Sequence, residues 1–473
     1  MRRSNDGMME RWKVAALLGF LSVIPSFHLS AQDTSAVDRG VRIGIIYRPG
    51  VRPGLVMLPR TGMGLDSVRA IVARDLDYSD RFEVITLPGG DSIRLATPSA
   101  APRGTGTRRS GTAAPGGAQA GGTLNYPLYQ ALGADFALDI TAAGDTTVAI
   151  LHDIAAAGIR RTVRAKLPRA GDPDFRQAVH RLADQAVQAA VGAPGIAATR
   201  VLFVKDGKVY QIDQDGADQK LVSSTDRQAM SPAWGADGRR FAYMEFQAGK
   251  GWLYLQEMGT STSKRTAVST TGSALDITPA FSPDGQTLAF SRATEDGTDL
   301  YTINVKNNCC LRRLTVGRFS DNLSPTFSPD GQRIAFVSTR PGLPQIYVMA
   351  ADGTDQQLLA PFDYGVTGSS NAPEWSPDGQ SVAFHRDVAG TLQVFVLDVR
   401  TRTVRQLTSV GRNEDPTWAP DSRHLAFVSD RSGYRQLWII DLDTGRIRPL
   451  LQQSGARLPA WSPRLSEAPS TTP

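Results

Sequence analysis

A chain of 473 residues, 41% hydrophobic and 21% charged, can bury a sizeable core and form two or three domains, which excludes a wholly disordered protein. Its net charge of +6 is scattered, with no lysine or arginine run longer than a pair such as Arg2-Arg3 and no aromatic–basic interleaving, so nucleic acid is not an expected partner. Two cysteines, adjacent at Cys309 and Cys310, cannot alone build a structural zinc site and are read as two thiols in a strand-to-strand turn.

The N-terminus carries Arg2, Arg3, Arg11 and Lys13 ahead of an apolar run of 14 residues, Val14–Phe27, broken by Pro25. That run is too short to span a bilayer and fits a secretory signal peptide over residues 1–31, with cleavage after Ala31. No cysteine follows it, so a lipid anchor is not expected, and no other segment is long and apolar enough to cross a membrane. The expected product is exported and monomeric.

Residues 32–195 read as a small α/β domain. Val41–Arg48, Leu55–Leu58 and Arg81–Leu87 have strand composition. Between the last two, Leu65, Val68, Ile71, Val72 and Leu76 recur at helical spacing, predicting a helix over 65–77. Residues 98–122 contain no apolar side chain larger than Ala or Pro and are expected to be a disordered insertion. Tyr126–Leu132 reads as a short helix, and Phe136–Thr141, Thr147–Asp153 and Arg160–Lys166 as strands. Phe175, Val179, Leu182, Ala186 and Ala190 make one face of a longer helix that Gly192 and Pro194 end.

From residue 196 to 465 the pattern is strand only, and it repeats. Pro-Ala-Phe-Ser-Pro-Asp-Gly stands at Pro279–Gly285, Pro-Thr-Phe-Ser-Pro-Asp-Gly at Pro325–Gly331 and Pro-Glu-Trp-Ser-Pro-Asp-Gly at Pro373–Gly379. Weaker copies start at Pro232, Pro416 and Pro459. The aromatic members Trp234, Phe281, Phe327, Trp375, Trp418 and Trp461 are separated by 47, 46, 48, 43 and 43 residues. A β-rich unit of that length predicts a propeller of WD40-like repeats. The copy at Pro459 is a lone inner strand, whereas Arg200–Ser224 holds outer strands without an inner one. Together they complete one blade, giving six blades closed by pairing of the two ends, a closure that removes open sheet edges. Residues 466–473 read as a flexible tail.

Catalytic signatures are missing from the sequence: there is no Gly-x-Ser-x-Gly elbow, no His-Glu-x-x-His and no Walker loop. Ser-Pro-Asp-Gly is a turn, with Pro fixing φ and Gly accepting a positive one. Asp213-Gln-Asp215-Gly216 and Asp441-Leu-Asp443-Thr-Gly445 resemble calcium loops only faintly, lack the distal Glu, and read as turn chemistry. His152, His180, His385 and His424 are read as structural or surface residues, and no cofactor or metal is expected. What remains is the face where the inner strands begin. There the approaching loops carry Met230, Asp276, Ile277, Asn322, Leu323, Asn371, Ala372, Glu414, Asp415 and Leu458. They mix small apolar and polar groups, as a protein interface does, and equally suit ordinary loops.

The chain resembles the TolB family. The repeats Leu288-Ala-Phe-Ser291, Ile334-Ala-Phe-Val-Ser338 and Leu425-Ala-Phe-Val-Ser429 are similar to that family's propeller motif, and Arg457–Leu465 to its C-terminus. Ile71–Leu76, Leu132–Phe136 and Ala198–Val204 resemble its N-terminal domain and exit. The resemblance implies a non-enzymatic periplasmic scaffold that binds a Pal-like peptidoglycan-associated lipoprotein with the propeller face. It also implies binding of a TolA-like inner-membrane protein through residues 32–43, including Asp33, Val37, Val41 and Arg42, in support of outer-membrane integrity and constriction at division. Two other classes stay open: an exported propeller that binds a glycan or small ligand in its channel, and a peptidase relative without its catalytic part.

Overall fold

The computed structural model describes residues 52–59, 64–85, 87, 124–247, 250–259, 265–268, 275–317, 320–360 and 368–465. The signal segment, the strand expected at Val41–Arg48, the insertion at 98–122 and the tail at 466–473 lie outside the described residues. Among the described residues no helix is long and apolar enough to cross a membrane.

The N-terminal region is a five-stranded sheet with helices on both faces. Its elements are β1 (Gly54–Met57), α1 (Asp66–Tyr78), β2 (Glu83–Ile85), α2 (Tyr126–Ala131), β3 (Phe136–Ala143), β4 (Thr146–Asp153), β5 (Gly158–Ala165) and α3 (Phe175–Val191). The strand order is β2-β1-β3-β4-β5, with β1 parallel to both neighbours and the β3-β4-β5 meander antiparallel. The helical spacing seen in the sequence puts Val68, Ile71, Val72 and Leu76 of α1 and Val179, Leu182, Ala186 and Val187 of α3 on one sheet face, against Leu55, Leu138, Ile140 and Leu151. The short α2 covers the other face through Tyr129 over Val56 and Ala137. Gly192 ends α3 in a left-handed conformation with φ of 76°, as its place just after the periodic face foretold.

The rest is a six-bladed propeller of four-stranded antiparallel blades. Blades one to five have inner strands Ala229–Trp234, Leu275–Phe281, Asn322–Phe327, Ser370–Trp375 and Asn413–Trp418, each followed in sequence by its three outer strands. Blade six joins the chain ends: inner strand Arg457–Trp461 pairs with Arg200–Lys205, which continues through Lys208–Asp213 and Lys220–Leu221. Ala460 faces Leu202 and Trp461 faces Val201 across that seam.

The motif aromatics fill the spaces between blades. Trp375 packs on Ala335, Val337 and Ile346 of blade three as well as Val382 and Phe384 of its own blade. Trp418 and Trp461 do the same one and two blades on. Each Ser-Pro-Asp-Gly closes on itself: in blade two the Ser282 hydroxyl accepts from Thr287 N (2.9 Å) and Asp284 accepts from Gln286 N (3.0 Å), while Gly285 takes φ of 67°. Serine and aspartate are spent on the turn.

Two expectations change. The structure joins Cys309 and Cys310 in a disulfide at the start of an outer strand of blade two, where Cys310 takes a left-handed φ of 65°. The sequence reading of two free thiols took adjacency as unfavourable and could not foresee that backbone turn. The inner strands also begin earlier than expected: that of blade three starts at Asn322, which the sequence reading placed in the approaching loop. A bulge in the pairing of each inner strand, just before the motif proline, lets the ladder continue past a residue with no N–H.

The seam is the point where ring closure depends on one side chain. Trp461 is 6% exposed, packs on Ala426 and Leu437 of blade five, and donates its indole N–H to Thr199 Oγ1 at 2.8 Å. Trp461→Ala is expected to lower stability by about 3–5 kcal/mol, read as a fall in the urea midpoint of unfolding.

Candidate docking face

The bulge sorts the start of every inner strand into three kinds of position. The residue directly before the proline is left-handed in all six blades: Ser231, Thr278, Ser324, Ala372, Asp415 and Leu458 have φ between 49° and 52°. Two residues before the proline stand Met230, Ile277, Leu323, Asn371, Glu414 and Arg457; the first five are half-buried and Arg457 is exposed. Three before it, Ala229, Asp276, Asn322, Ser370, Asn413 and Ala456 are buried.

Asp276 and Asn322 thus leave the surface to which the sequence reading assigned them. Asp276 is 1% exposed and holds Arg292 through two hydrogen bonds of 2.7 and 2.9 Å. Asn322 is fully buried and accepts from Ser338 Oγ (2.9 Å) and Arg340 (3.2 Å). Ser370 with Arg386, and Asn413 with Arg431, repeat the arrangement. In these four blades the guanidinium lies 4.9–5.8 Å from the rings of two aromatics, such as the stacked Phe290 and Tyr301 in blade two. These residues brace the mouth of the propeller, and the residue next to each is only half-buried.

Around the mouth the left-handed residues are tied blade to blade. Ser324 N donates to Thr278 Oγ1 (3.3 Å) and Ser291 Oγ (3.2 Å). Ala372 has no acceptor to offer, and His385 Nδ1 takes its place, accepting Asp415 N at 3.1 Å. Burial holds His385 down to about 4, helped by Arg412, so Nδ1 stays free to accept. Burial raises Asp415 to about 7, with Glu414 adding to it.

The rim of the same face carries exposed apolar groups that the motif did not reveal. Val316 (80% exposed) and Val410 (62%) lie in connections leading to inner strands, and Leu343, Val388 and Tyr434 (67%) in or beside second-to-third-strand hairpins. These five are half of the ten large apolar side chains that are exposed among the described residues. They lie in loops or, for Val388, at a strand end, with no shared spacing, so no periodicity could have found them.

The N-terminal domain meets the opposite face, at blades five and six. Arg446 reaches Asp77 Oδ2 at 2.8 Å and Asp80 Oδ1 at 3.0 Å, and Arg423 donates to Asp80 O at 2.9 Å while holding Asp441. His424, fully buried, sits between Asp421 (2.8 Å) and Asp80 (3.3 Å). In the second cluster His180 lies 2.7 Å from Asp75 and 3.6 Å from Asp213, and Arg176 and Arg200 also bind Asp213. The aspartates read from sequence as turn residues therefore also anchor the domain. Asp75, His180 and Asp215, like Asp80, His424 and Asp441, are close enough to share a cation. Arg74 and Arg176 at the first set, and Arg423 and Arg446 at the second, already match their charge.

A six-bladed propeller with a fused α/β domain on one face and exposed apolar side chains among the described residues of the other defines the class: a two-domain propeller protein. The TolB beta propeller domain matches residues 187–363 and 363–467, more than half of the chain, and the protein belongs to that family. The Tol-Pal system protein TolB of Methylococcus capsulatus is 31% identical over 264 residues, 54% of this chain and 55% of that relative. The protein of the same description from Anaeromyxobacter dehalogenans is 35% identical over 159 residues, 33% of this chain and 36% of that one. The matches thus span about half or less of the curated relatives' length. The crystal structure of TolB from Acinetobacter baumannii superposes with a TM-score of 0.70 at 23% identity, covering 88% of this chain and 98% of that one, which shows the shared fold.

His180 gives the domain contact a measurable pH dependence. Burial disfavours its charged ring, but the nearby Asp213 carboxylate and the hydrogen bond and charge of Asp75 outweigh this and lift its pKa to about 9. A folded-state pKa above the unfolded value of about 6.5 stabilises fully below pH ~6.5 and is lost as pH rises through 9. His180→Gln is expected to cost up to about 3 kcal/mol at pH 6. It should also flatten the fall in unfolding midpoint between pH 6.5 and 9.5 seen for the parent.

Proposed function

We propose that this chain is a non-enzymatic periplasmic scaffold of a Tol-Pal system, docking a Pal-like peptidoglycan-associated lipoprotein on the mouth face of its propeller. The observation that carries the reading is the concentration of exposed apolar side chains there, on the face away from the fused domain. Apolar groups rimmed by polar ones on an otherwise ordinary surface mark a site of association. Met230, Ile277, Leu323, Asn371, Ala372, Glu414, Asp415 and Leu458 form its inner ring, and Val316, Leu343, Val410 and Tyr434 its rim. Family membership and the names of the relatives supply the system. The family resemblance supplies the second partner, a TolA-like inner-membrane protein bound through residues 32–43 with Asp33, Val37, Val41 and Arg42; this segment lies outside the described residues. Serial binding at the two places would couple the inner membrane to the outer during division.

The test is recovery of partners from the envelope fraction of the same cell by the mature protein. Leu343→Glu with Tyr434→Ala changes two exposed side chains, so the fold should be unaffected. It is expected to reduce capture of the lipoprotein at least tenfold. Deleting residues 32–43 should leave that capture intact and abolish capture of the inner-membrane protein. Failure of the parent to recover any peptidoglycan-binding lipoprotein, even with cross-linking, would overturn the reading.

A further inference from the structure

The propeller axis holds a cavity of about 300 Å³ lined by the motif residues, among them Pro232, Pro279, Pro325, Pro373 and Pro459. The position after each proline is Ala233, Ala280, Thr326, Glu374, Thr417 or Ala460. Where it is threonine, the hydroxyl accepts the backbone N–H of the next blade's aromatic: Thr326 from Trp375 (3.4 Å) and Thr417 from Trp461 (3.0 Å). Glu374 does the same work with one oxygen, accepting from Trp418 N and from the Thr417 hydroxyl, both at 3.0 Å.

Threonine thus satisfies the blade-to-blade bond without a charge, and alanine is tolerated in three blades. A carboxylate adds nothing to that bond and is costly to bury in a channel of proline. Among the described residues no lysine, arginine or histidine is in ion-pair contact with Glu374, and burial pushes its carboxyl up to about 7. Its second carboxylate oxygen is left over, in a cavity whose other lining side chains are apolar or hydroxylic and whose remaining polar surface is backbone.

We propose that the channel is a binding site for a small protonated alkyl amine, with the ammonium group on Glu374 and the Thr417 side and the alkyl tail along the prolines. A calcium ion needs six to eight oxygen ligands, several of them carboxylate, and a transition metal needs imidazole or thiolate. The cavity lining provides one carboxylate and two threonine hydroxyls. An alkyl ammonium needs one counter-charge, a few acceptors, which backbone groups of the lining can add to, and apolar side chains such as the prolines beside them. The inference does not depend on the mouth face or on any partner there.

The probe is n-butylammonium chloride, titrated into the full mature protein at pH 8 by calorimetry, with tryptophan fluorescence as a second signal from Trp375, Trp418 and Trp461. Saturable one-to-one binding is expected, at least tenfold weaker in both Glu374→Gln and Glu374→Thr, and weakening in the parent from pH 8 to 6 as the carboxylate takes a proton. Gln keeps the acceptor for Trp418 and Thr417, and Thr is the residue of blades three and five. Both variants should therefore melt at or above the parent's temperature. Lower melting would make Glu374 a strut and overturn the proposal. So would equal amine binding by the variants, equally tight binding of neutral n-butanol, or Glu374-dependent calcium binding that excludes the amine.

Discussion

A strand that meets a proline loses a ladder donor, and the innermost strand of a propeller blade is paired on one edge and crowded by five symmetry-like copies on the other. Here all six inner strands accept the proline by the same device, a bulge whose first residue is left-handed. A non-glycine residue in that conformation costs on the order of 1–3 kcal/mol. The cost is offset where the turned N–H finds an acceptor on the blade before it, as Ser324 does on Thr278 and Asp415 on His385. The bulge then fixes everything around it. It buries the residue three places before the proline as an anchor, turns out the residue two before as a contact group, and aims the residue after into the channel.

Much of this architecture could be read from the sequence, for physical reasons. The period of the Pro-x-aromatic motif is a packing period, since each aromatic must fill the same gap between blades. The unequal fragments at Arg200–Ser224 and Pro459–Pro463 could only be parts of one blade. The orientation of the mouth residues was only partly legible: the reading did not separate the side chain that faces out in each stretch from the buried one beside it. Asp276 and Asn322 looked like surface polar groups, and only their pairing with Arg292 and Arg340 buries them. That pairing joins residues 16 and 18 apart across two strands, through a register the bulge has shifted. The domain anchors were hidden in another way. His180 and Asp75 are 105 residues apart, and Asp213 serves a turn and an interface at once.

The two faces of the propeller are held by different forces. The face under the N-terminal domain uses buried ion pairs, which are directional and specify one seating, though each costs desolvation. Arg446 between Asp77 and Asp80, and His424 between Asp421 and Asp80, converge on the end of α1 and so fix that helix relative to blade five. The mouth face has the reverse character. Many of its polar groups are consumed by their own braces, and beside charged groups such as Arg457 it shows to solvent a set of apolar side chains. A permanent contact has been built with charge, and a surface left open has been built with Val316, Leu343, Val410 and Tyr434, which associate without requiring exact geometry.

Six identical repeats would give a mouth with no preferred orientation for whatever sits on it. This chain breaks the symmetry at the one position the bulge turns outward. Met230, Ile277 and Leu323 in blades one to three are apolar, whereas Asn371, Glu414 and Arg457 in blades four to six are polar or charged. The same half carries the other departures from the repeat: His385 and Glu374 in blade four, and Asp415 in blade five. Glu414 is itself drawn to Arg412 at 3.0 Å and Arg435 at 3.4 Å, which concentrates charge on that side. Since the backbone is the same in every blade, the fold supplies the platform and these few substitutions supply direction. A partner with an apolar and a polar edge then has one low-energy seating out of six.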